Sequence, residues 1–176
     1  LEAGHALCAM HEPECDPVHK ATIIPRGRAL GLVMSLPEGD RYSKSKSKLL
    51  SELTMAMGGR AAEEIIFGPD KVSNGASGDI KMATNQTRMM VTEWGMSDKL
   101  GPLAYLEREE SFLPFMPGPR RGEYSEKTAR DIDEEVHRII TGQYQRVSEL
   151  IRANLDKLED MARALLERET LDSEEI

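Results

Sequence analysis

The sequence predicts a mainly helical fold with a small β-hairpin. Apolar side chains recur every three or four residues from Leu49 to Ile65 and again from Ile132 to Ile151, which is the spacing of one helix face. Two short β-prone runs, 18–24 and 30–36, are separated by a turn that contains proline and glycine. Together these patterns predict long packed helices with one small hairpin beside them.

The composition is typical of one globular domain. The chain has 176 residues, of which 39% are hydrophobic and 31% are charged, so it can bury a core without disulfides. Its net charge of −8 argues against nucleic acid as a partner, because phosphate binding needs clustered lysine and arginine. The two cysteines are too few for a disulfide framework and suit a reducing compartment. The sequence contains no run of 18 apolar residues, so it predicts no membrane-spanning helix.

The first helix is predicted to end near His11, and it carries the most specific chemistry. Many zinc proteases use a His-Glu-x-x-His motif, in which the two histidines lie four residues apart on one helix face. The glutamate beside the first histidine is the general base for a water that the metal activates. Glu2 and His5 hold the positions of that glutamate and of the second histidine, whereas Leu1 stands where the first histidine is expected.

The same residues also fit a simpler interpretation. Glu2 and His5 could belong to the start of an amphipathic helix with one satisfied histidine, and this uncapped start indicates a chain cut from something longer. Cys8, three residues after His5, could reach the same face, but a small buried thiol is the more common role. His11 lies on another face and cannot replace the missing ligand.

Two later stretches offer carboxylates that could complete a metal site. Glu63 and Glu64 lie near the end of the second helix, which is predicted from Ser43 to Phe67. Asp79 follows a loop rich in glycine and serine and begins the next helix. Each carboxylate also has an ordinary role, namely solvation for the glutamates and helix capping for the aspartate. The residues alone leave both roles open.

Other features follow from periodicity and from turn residues. The third helix is predicted to bury a stripe that includes Ile80 and Trp94. The paired Gly58 and Gly59 interrupt the second helix, so a close helix approach or a kink is expected there. Residues 112–122 are rich in proline and glycine and predict a mobile surface loop.

The predicted hairpin leaves two roles open. One strand could pair with an extended substrate chain, because peptides often add to exposed sheet edges. The alternative is a structural flap that covers the helical core. The first role predicts one free strand edge beside the metal-binding helix, within residues 23–36.

Five short motifs occur in one order along nearly the whole chain. They are Leu1-Glu2-Ala3-Gly4-His5-Ala6-Leu7, Ala21-Thr22-Ile23-Ile24-Pro25-Arg26-Gly27, Met57-Gly58-Gly59-Arg60-Ala61-Ala62-Glu63-Glu64, Ser73-Asn74-Gly75-Ala76-Ser77-Gly78-Asp79 and Trp94-Gly95-Met96-Ser97. In this order they resemble the peptidase domain of FtsH-type proteins, which are membrane-anchored, ATP-dependent zinc proteases of bacteria, mitochondria and chloroplasts. Each motif is weak alone, but their shared order makes the resemblance specific.

The resemblance implies a role for each candidate residue. Glu2 is then the catalytic base, His5 and Asp79 are zinc ligands, and Glu63 and Glu64 either have structural roles or support a ligand without binding the metal. It also implies one Zn²⁺ per subunit, a homo-hexamer, and unfolded or membrane proteins as substrates in protein quality control. The whole chain is then one peptidase domain. The ATP-binding module and the transmembrane segments lie upstream, at the cytoplasmic face of a bacterial inner membrane or in an organellar inner membrane.

Leu1 is the departure from the family pattern. Changing even a residue that supports a metal ligand typically lowers metal affinity about 10- to 100-fold, so loss of a ligand should cost more. The sequence therefore predicts weak or absent zinc and an impaired or inactive protease. The rival hypothesis is a non-catalytic helical scaffold for oligomerisation, which Leu1 and the long apolar helix stripes also favour.

Overall fold

The computed structural model describes residues 1–25, 27, 31–37, 39, 43–105 and 124–176. The mainly helical prediction is confirmed, and the loop predicted at 112–122 lies outside the described residues. No helix in the described ranges combines the length and the apolar character needed to cross a membrane. The helices are α1 Glu2–His11, α2 Lys46–Phe67, α3 Ser77–Thr92, α4 Glu126–Ala153 and α5 Leu155–Arg168, and the strands are β1 Val18–Thr22, β2 Leu32–Ser35 and β3 Thr170–Asp172.

The described residues divide into two compact units. The first comprises Leu1–Ala83 and Gly142–Ile176 and contains α1, α2, α5 and the whole sheet. The second comprises Thr84–Thr141, and α3 and α4 each contribute residues to both units. All of the candidate site residues belong to the first unit. The second unit has its own buried apolar side chains, among them Met90, Val91, Ile132, Val136 and Ile139.

Helices α1 and α2 cross backbone against backbone. A Cβ atom on Gly58 would lie 2.5 Å from the carbonyl oxygen of Gly4 and 2.9 Å from Sγ of Cys8. A Cβ on Gly4 would in turn overlap the backbone of Gly58. The glycines that interrupt the pattern of α2 are therefore required by the close helix approach, and α2 remains one continuous helix.

A buried carboxylate fixes the end of α1. Glu12 follows the helix directly, is only 3% exposed, and accepts a hydrogen bond of 2.9 Å from Oγ of Ser51 on α2. Nη2 of Arg146 on α4 donates to the same oxygen at 3.1 Å. A buried charge needs such partners, because an unpaired carboxylate would cost several kcal/mol. The C-terminal end of α1 is thus tied to two other helices.

The sheet confirms the predicted hairpin and adds a third strand. Its order is β2-β1-β3, with both pairings antiparallel and a bulge in β1 between Val18 and Lys20. Thr22 pairs with Thr170 of β3, and their Oγ1 atoms lie 2.8 Å apart. Strand β3 was not predicted, because it has three residues and Leu171 is its single buried apolar side chain.

Two local predictions were wrong. Helix α2 begins at Lys46 rather than near Ser43, because Oγ of Ser45 accepts the amide of Lys48 at 3.1 Å and caps the helix there. The predicted stripe of α3 is buried at its centre, but Ile80 and Trp94 are 40% and 43% exposed. Trp94 follows the end of the helix, so the helical period no longer governs its direction.

The glycine crossing gives the first prediction. Gly58→Ala should lower the free energy of unfolding by about 1–3 kcal/mol, because the new methyl group overlaps the Gly4 carbonyl and overpacking outweighs the gain in helix propensity. Gly142→Ala is the matched control, since a Cβ on this helical glycine meets nothing within 4 Å. The control should stabilise by roughly 0.5–1 kcal/mol. Urea unfolding measures both, and a Gly58→Ala protein as stable as the parent would contradict the close crossing.

Candidate metal-binding site

His5 lies on α1 with its imidazole ring held by α2. Nδ1 lies 2.9 Å from the carbonyl oxygen of Met55. A carbonyl can only accept, so Nδ1 carries the proton and neutral His5 keeps its lone pair on Nε2. A Cβ on Gly59 would lie 2.5 Å from Nε2, so glycine leaves the space that the ring occupies. Helix α2 therefore sets both the tautomer and the direction of the ring.

Asp79 meets the free nitrogen of His5. It is the third residue of α3, and its Oδ2 lies 3.6 Å from Nε2 of His5. Two ligand atoms bound at about 2.0–2.2 Å to a tetrahedral zinc ion lie roughly 3.4 Å apart. The two side chains are thus spaced as two ligands of one ion would be. Their predicted roles as ligands stay a prediction.

Glu63 and Glu64 have other partners. Oε2 of Glu63 accepts the backbone amide of Ser73 at 3.1 Å. Oε2 of Glu64 accepts from Oη of Tyr144 at 2.6 Å and lies 2.8 Å from Nη1 of Arg60. Burial, and then the hydrogen bond to Glu64, raises the pKa of Tyr144 to about 12, so the phenol remains the donor. The structure brings Asp79 to His5 and gives each glutamate a partner in the protein.

Leu1 contacts the loop that leads to Asp79. Its Cδ1 lies 2.7 Å from where a Cβ on Gly75 would be, so this glycine makes room for it. Leu1 directly precedes α1, so a histidine at the same backbone position would start beside the same loop. In the described ranges there is no group of three His, Cys, Asp or Glu side chains placed to hold a metal. The donors fit zinc in kind and spacing but fall one ligand short.

Glu2 lies close to the start of β2. A Cβ on Gly31, the residue before this strand, would lie 2.5 Å from Oε1 of Glu2. Burial raises the pKa of the Glu2 carboxyl above its ordinary value of 4.5, and the Asp79 carboxylate adds to the rise while His5 opposes it. A carboxylate with a raised pKa is a stronger proton acceptor near neutral pH.

The outer edge of β2 begins at this point. In the sheet order β2-β1-β3, no strand of the described chain pairs with that edge. The residues of β2 are half-buried along its length. Among the described strands this edge is therefore unpaired, and β2 begins one residue after Gly31, which lies against Glu2. Its predicted role in binding substrate stays a prediction.

Two other candidates are not brought to the site as ligands. Cys8 is buried against Gly58, and burial raises the pKa of its thiol to about 12, so it is not a thiolate near neutral pH. Nδ1 of His11 lies 2.9 Å from the carbonyl oxygen of Leu7 within its own helix. Sequence reasoning missed the contribution of Met55, because a backbone carbonyl leaves no mark in the residue type. Gly58 and Gly59 were the one signal in the sequence that α2 leaves space for the ring of His5.

Comparison with known proteins gives the family of this chain. The model of peptidase family M41 matches residues 1–176. Over 175 residues the chain is 50% identical to the ATP-dependent zinc metalloprotease FtsH of Caulobacter vibrioides, and 48% identical to those of Rickettsia bellii and Haemophilus influenzae. The alignments cover 99% of this chain but 27–28% of the relatives, so it spans little more than a quarter of their length. The chain that brings His5 and Asp79 together beside Glu2 belongs to peptidase family M41.

Proposed function

We propose that this chain is the proteolytic module of an ATP-dependent zinc metalloendopeptidase that degrades unfolded and membrane proteins, and that Leu1 impairs its metal site. The main support is the approach of Nε2 of His5 to Oδ2 of Asp79, at 3.6 Å. Family membership supplies the reaction class, hydrolysis of peptide bonds. The ATP dependence in the relatives' names would come from a module outside these 176 residues.

His5 and Asp79 would hold the zinc ion through Nε2 and Oδ2. The chemistry that zinc supplies when bound is Lewis acidity, which polarises a carbonyl and makes water more acidic. Glu2 would accept the proton of the water that attacks the peptide carbonyl. Its half-buried carboxylate has a raised pKa and projects from the same helix as His5. The proton taken up at its carboxylate can then pass to the amine nitrogen that leaves when the peptide bond breaks.

Strand β2 would align the substrate. An unfolded polypeptide offers free backbone N–H and C=O groups whatever its sequence, and a free strand edge can pair with them. The free edge of β2 starts next to Glu2, so a chain paired there would pass the proton acceptor. This arrangement suits a protease that acts on many unfolded proteins with little side-chain selectivity.

Assembly and location follow the family. We place residues 1–176 in one peptidase domain of a homo-hexamer at the cytoplasmic face of a bacterial inner membrane, or in an organellar inner membrane. Membrane contact would come from segments outside this chain. A non-catalytic helical scaffold is the second candidate, and Leu1 is the observation that favours it, because a leucine side chain cannot bind a metal.

Zinc affinity separates these candidates. Leu1→His should tighten zinc binding by more than about 100-fold, because it supplies the missing third ligand while α2 already orients His5. Competition with a chromophoric chelator measures the affinity. If neither protein binds zinc, the scaffold is favoured. Tight zinc binding and full, chelator-sensitive proteolysis by the Leu1 protein would contradict the proposed impairment.

Three further variants of the Leu1→His protein test the individual roles. Asp79→Ala should weaken zinc binding, whereas His11→Ala should not, because that imidazole bonds within its own helix. Glu2→Gln should retain zinc and lose proteolysis of casein when the chain is joined to its ATPase module. Loss of zinc in Glu2→Gln, or full proteolysis by it, would remove Glu2 from the role of base.

The raised pKa of Glu2 predicts how stability depends on pH in the metal-free protein. Between pH 4.5 and the higher pKa of the folded carboxyl, the unfolded chain has released a proton that the folded state still holds. The contribution of Glu2 to stability is therefore complete below pH 4.5 and falls as pH rises. Glu2→Gln stays neutral, so its Tm should exceed that of the parent at pH 7 and approach it near pH 4. Glu149→Gln, at an exposed position of α4, is the matched control.

Pairing with β2 predicts a period of two along the substrate. In the Leu1→His protein, backbone N-methylation of a peptide substrate should raise KM at alternate positions on one side of the cleaved bond, because only every second N–H faces the strand. Positions between them should be unaffected. A uniform effect, or none, would show that the edge of β2 does not bind the substrate.

A further inference from the structure

We infer that Glu63 is a positioning residue for Asp79, because it fixes the loop that delivers the Asp79 carboxylate to His5. The inference rests on the proposed metal site. Glu63 acts at a distance, through the backbone of residues 72–76, and is not itself a ligand. This role differs from that of Glu64, although the two residues are adjacent and of the same type.

A chain of hydrogen bonds links Glu63 to the start of α3. Its Oε2 accepts the amide of Ser73 at 3.1 Å, and Oγ of Ser73 accepts the amide of Gly75, also at 3.1 Å. The amide of Ser77 then bonds to the carbonyl of Asn74 at 3.1 Å, and Ser77 is the first residue of α3. Asp79 follows two residues later, within the first turn.

The loop has few other means of staying in place. Ser73, Asn74 and Gly75 are exposed, and Ala76 is the one loop residue that is fully buried. Exposed segments with few buried contacts open at low free energy. The hydrogen bond from the Ser73 amide gives this exposed stretch an acceptor on α2. Glu63 therefore holds the exposed end of the loop, while Ala76 and the first turn of α3 hold the other end.

The position of Glu63 on α2 supports this role. Met55, Gly59 and Glu63 are spaced four residues apart, so they lie along one face of the helix. The carbonyl oxygen of Met55 contacts Nδ1 of His5, and Gly59 leaves space for the His5 ring. Glu63 accepts the amide of Ser73 in the loop before Asp79. One helix face thus sets both predicted ligands relative to each other. Glu64, one residue on, bonds instead to Tyr144 and Arg60.

The first test uses the metal-free Leu1 protein. Glu63→Ala should accelerate hydrogen exchange at the Ser73 amide about 10-fold, the effect of losing one such hydrogen bond, and should shift the NMR signals of the His5 ring as Asp79 moves. Glu63→Gln keeps an acceptor oxygen at the same reach and should restore both. Glu64→Ala is the matched control: it should lower Tm through loss of the Tyr144 contact and leave Ser73 and His5 unchanged.

The second test adds metal. In the Leu1→His protein, Glu63→Ala should weaken zinc binding about 10- to 100-fold, whereas Glu63→Gln and Glu64→Ala should bind like the parent. Unchanged Ser73 exchange in Glu63→Ala, failure of the glutamine to rescue, or an equal effect of Glu64→Ala would overturn the inference. If the Leu1→His protein binds no zinc, the proposed function fails, and the exchange and His5 signals alone decide the role of Glu63.

Discussion

The structure depends on the close crossing of α1 and α2. Gly4 and Gly58 approach so nearly that neither position has room for a Cβ atom. Because the helices meet at their backbones, α2 can use a main-chain carbonyl, that of Met55, to orient the ring of His5. Glu2 projects from the same helix and Leu1 directly precedes it, so both depend on where this contact places α1. A bulkier residue at the crossing would displace all three side chains at once.

The other parts of the site reach α1 from far along the chain. Asp79 is separated from His5 by more than 70 residues, and β2 begins some 30 residues after Glu2. Helix α2 lies between them in sequence and contacts both segments that carry a predicted ligand, through Gly59 against His5 and through Glu63 to the loop before Asp79. The long helix is therefore the frame of the site rather than a passive part of the core.

The sequence predicts the features that require a particular residue type or spacing, and it does not predict those that any residue can supply. Helical spacing locates the helices, and the Gly-Gly pair locates the crossing, because glycine inside a helix needs a reason. The approach of Asp79 to His5 was expected from the family motifs and from the loop that precedes it. Strand β3 could not be predicted, since a three-residue strand has no periodicity. The Met55 carbonyl could not be predicted either, because every residue has one.

The fold forms with leucine at position 1, where the family motif has a histidine. In small zinc domains the metal itself supplies the folding free energy, and loss of a ligand removes the fold. Here the carbonyl of Met55 contacts Nδ1 of His5, and Glu63 accepts the amide of Ser73 in the loop before Asp79, so both predicted ligands have contacts that do not involve residue 1. The Leu1 side chain packs beside Gly75 instead. With leucine at this position, Nε2 of His5 still lies 3.6 Å from Oδ2 of Asp79.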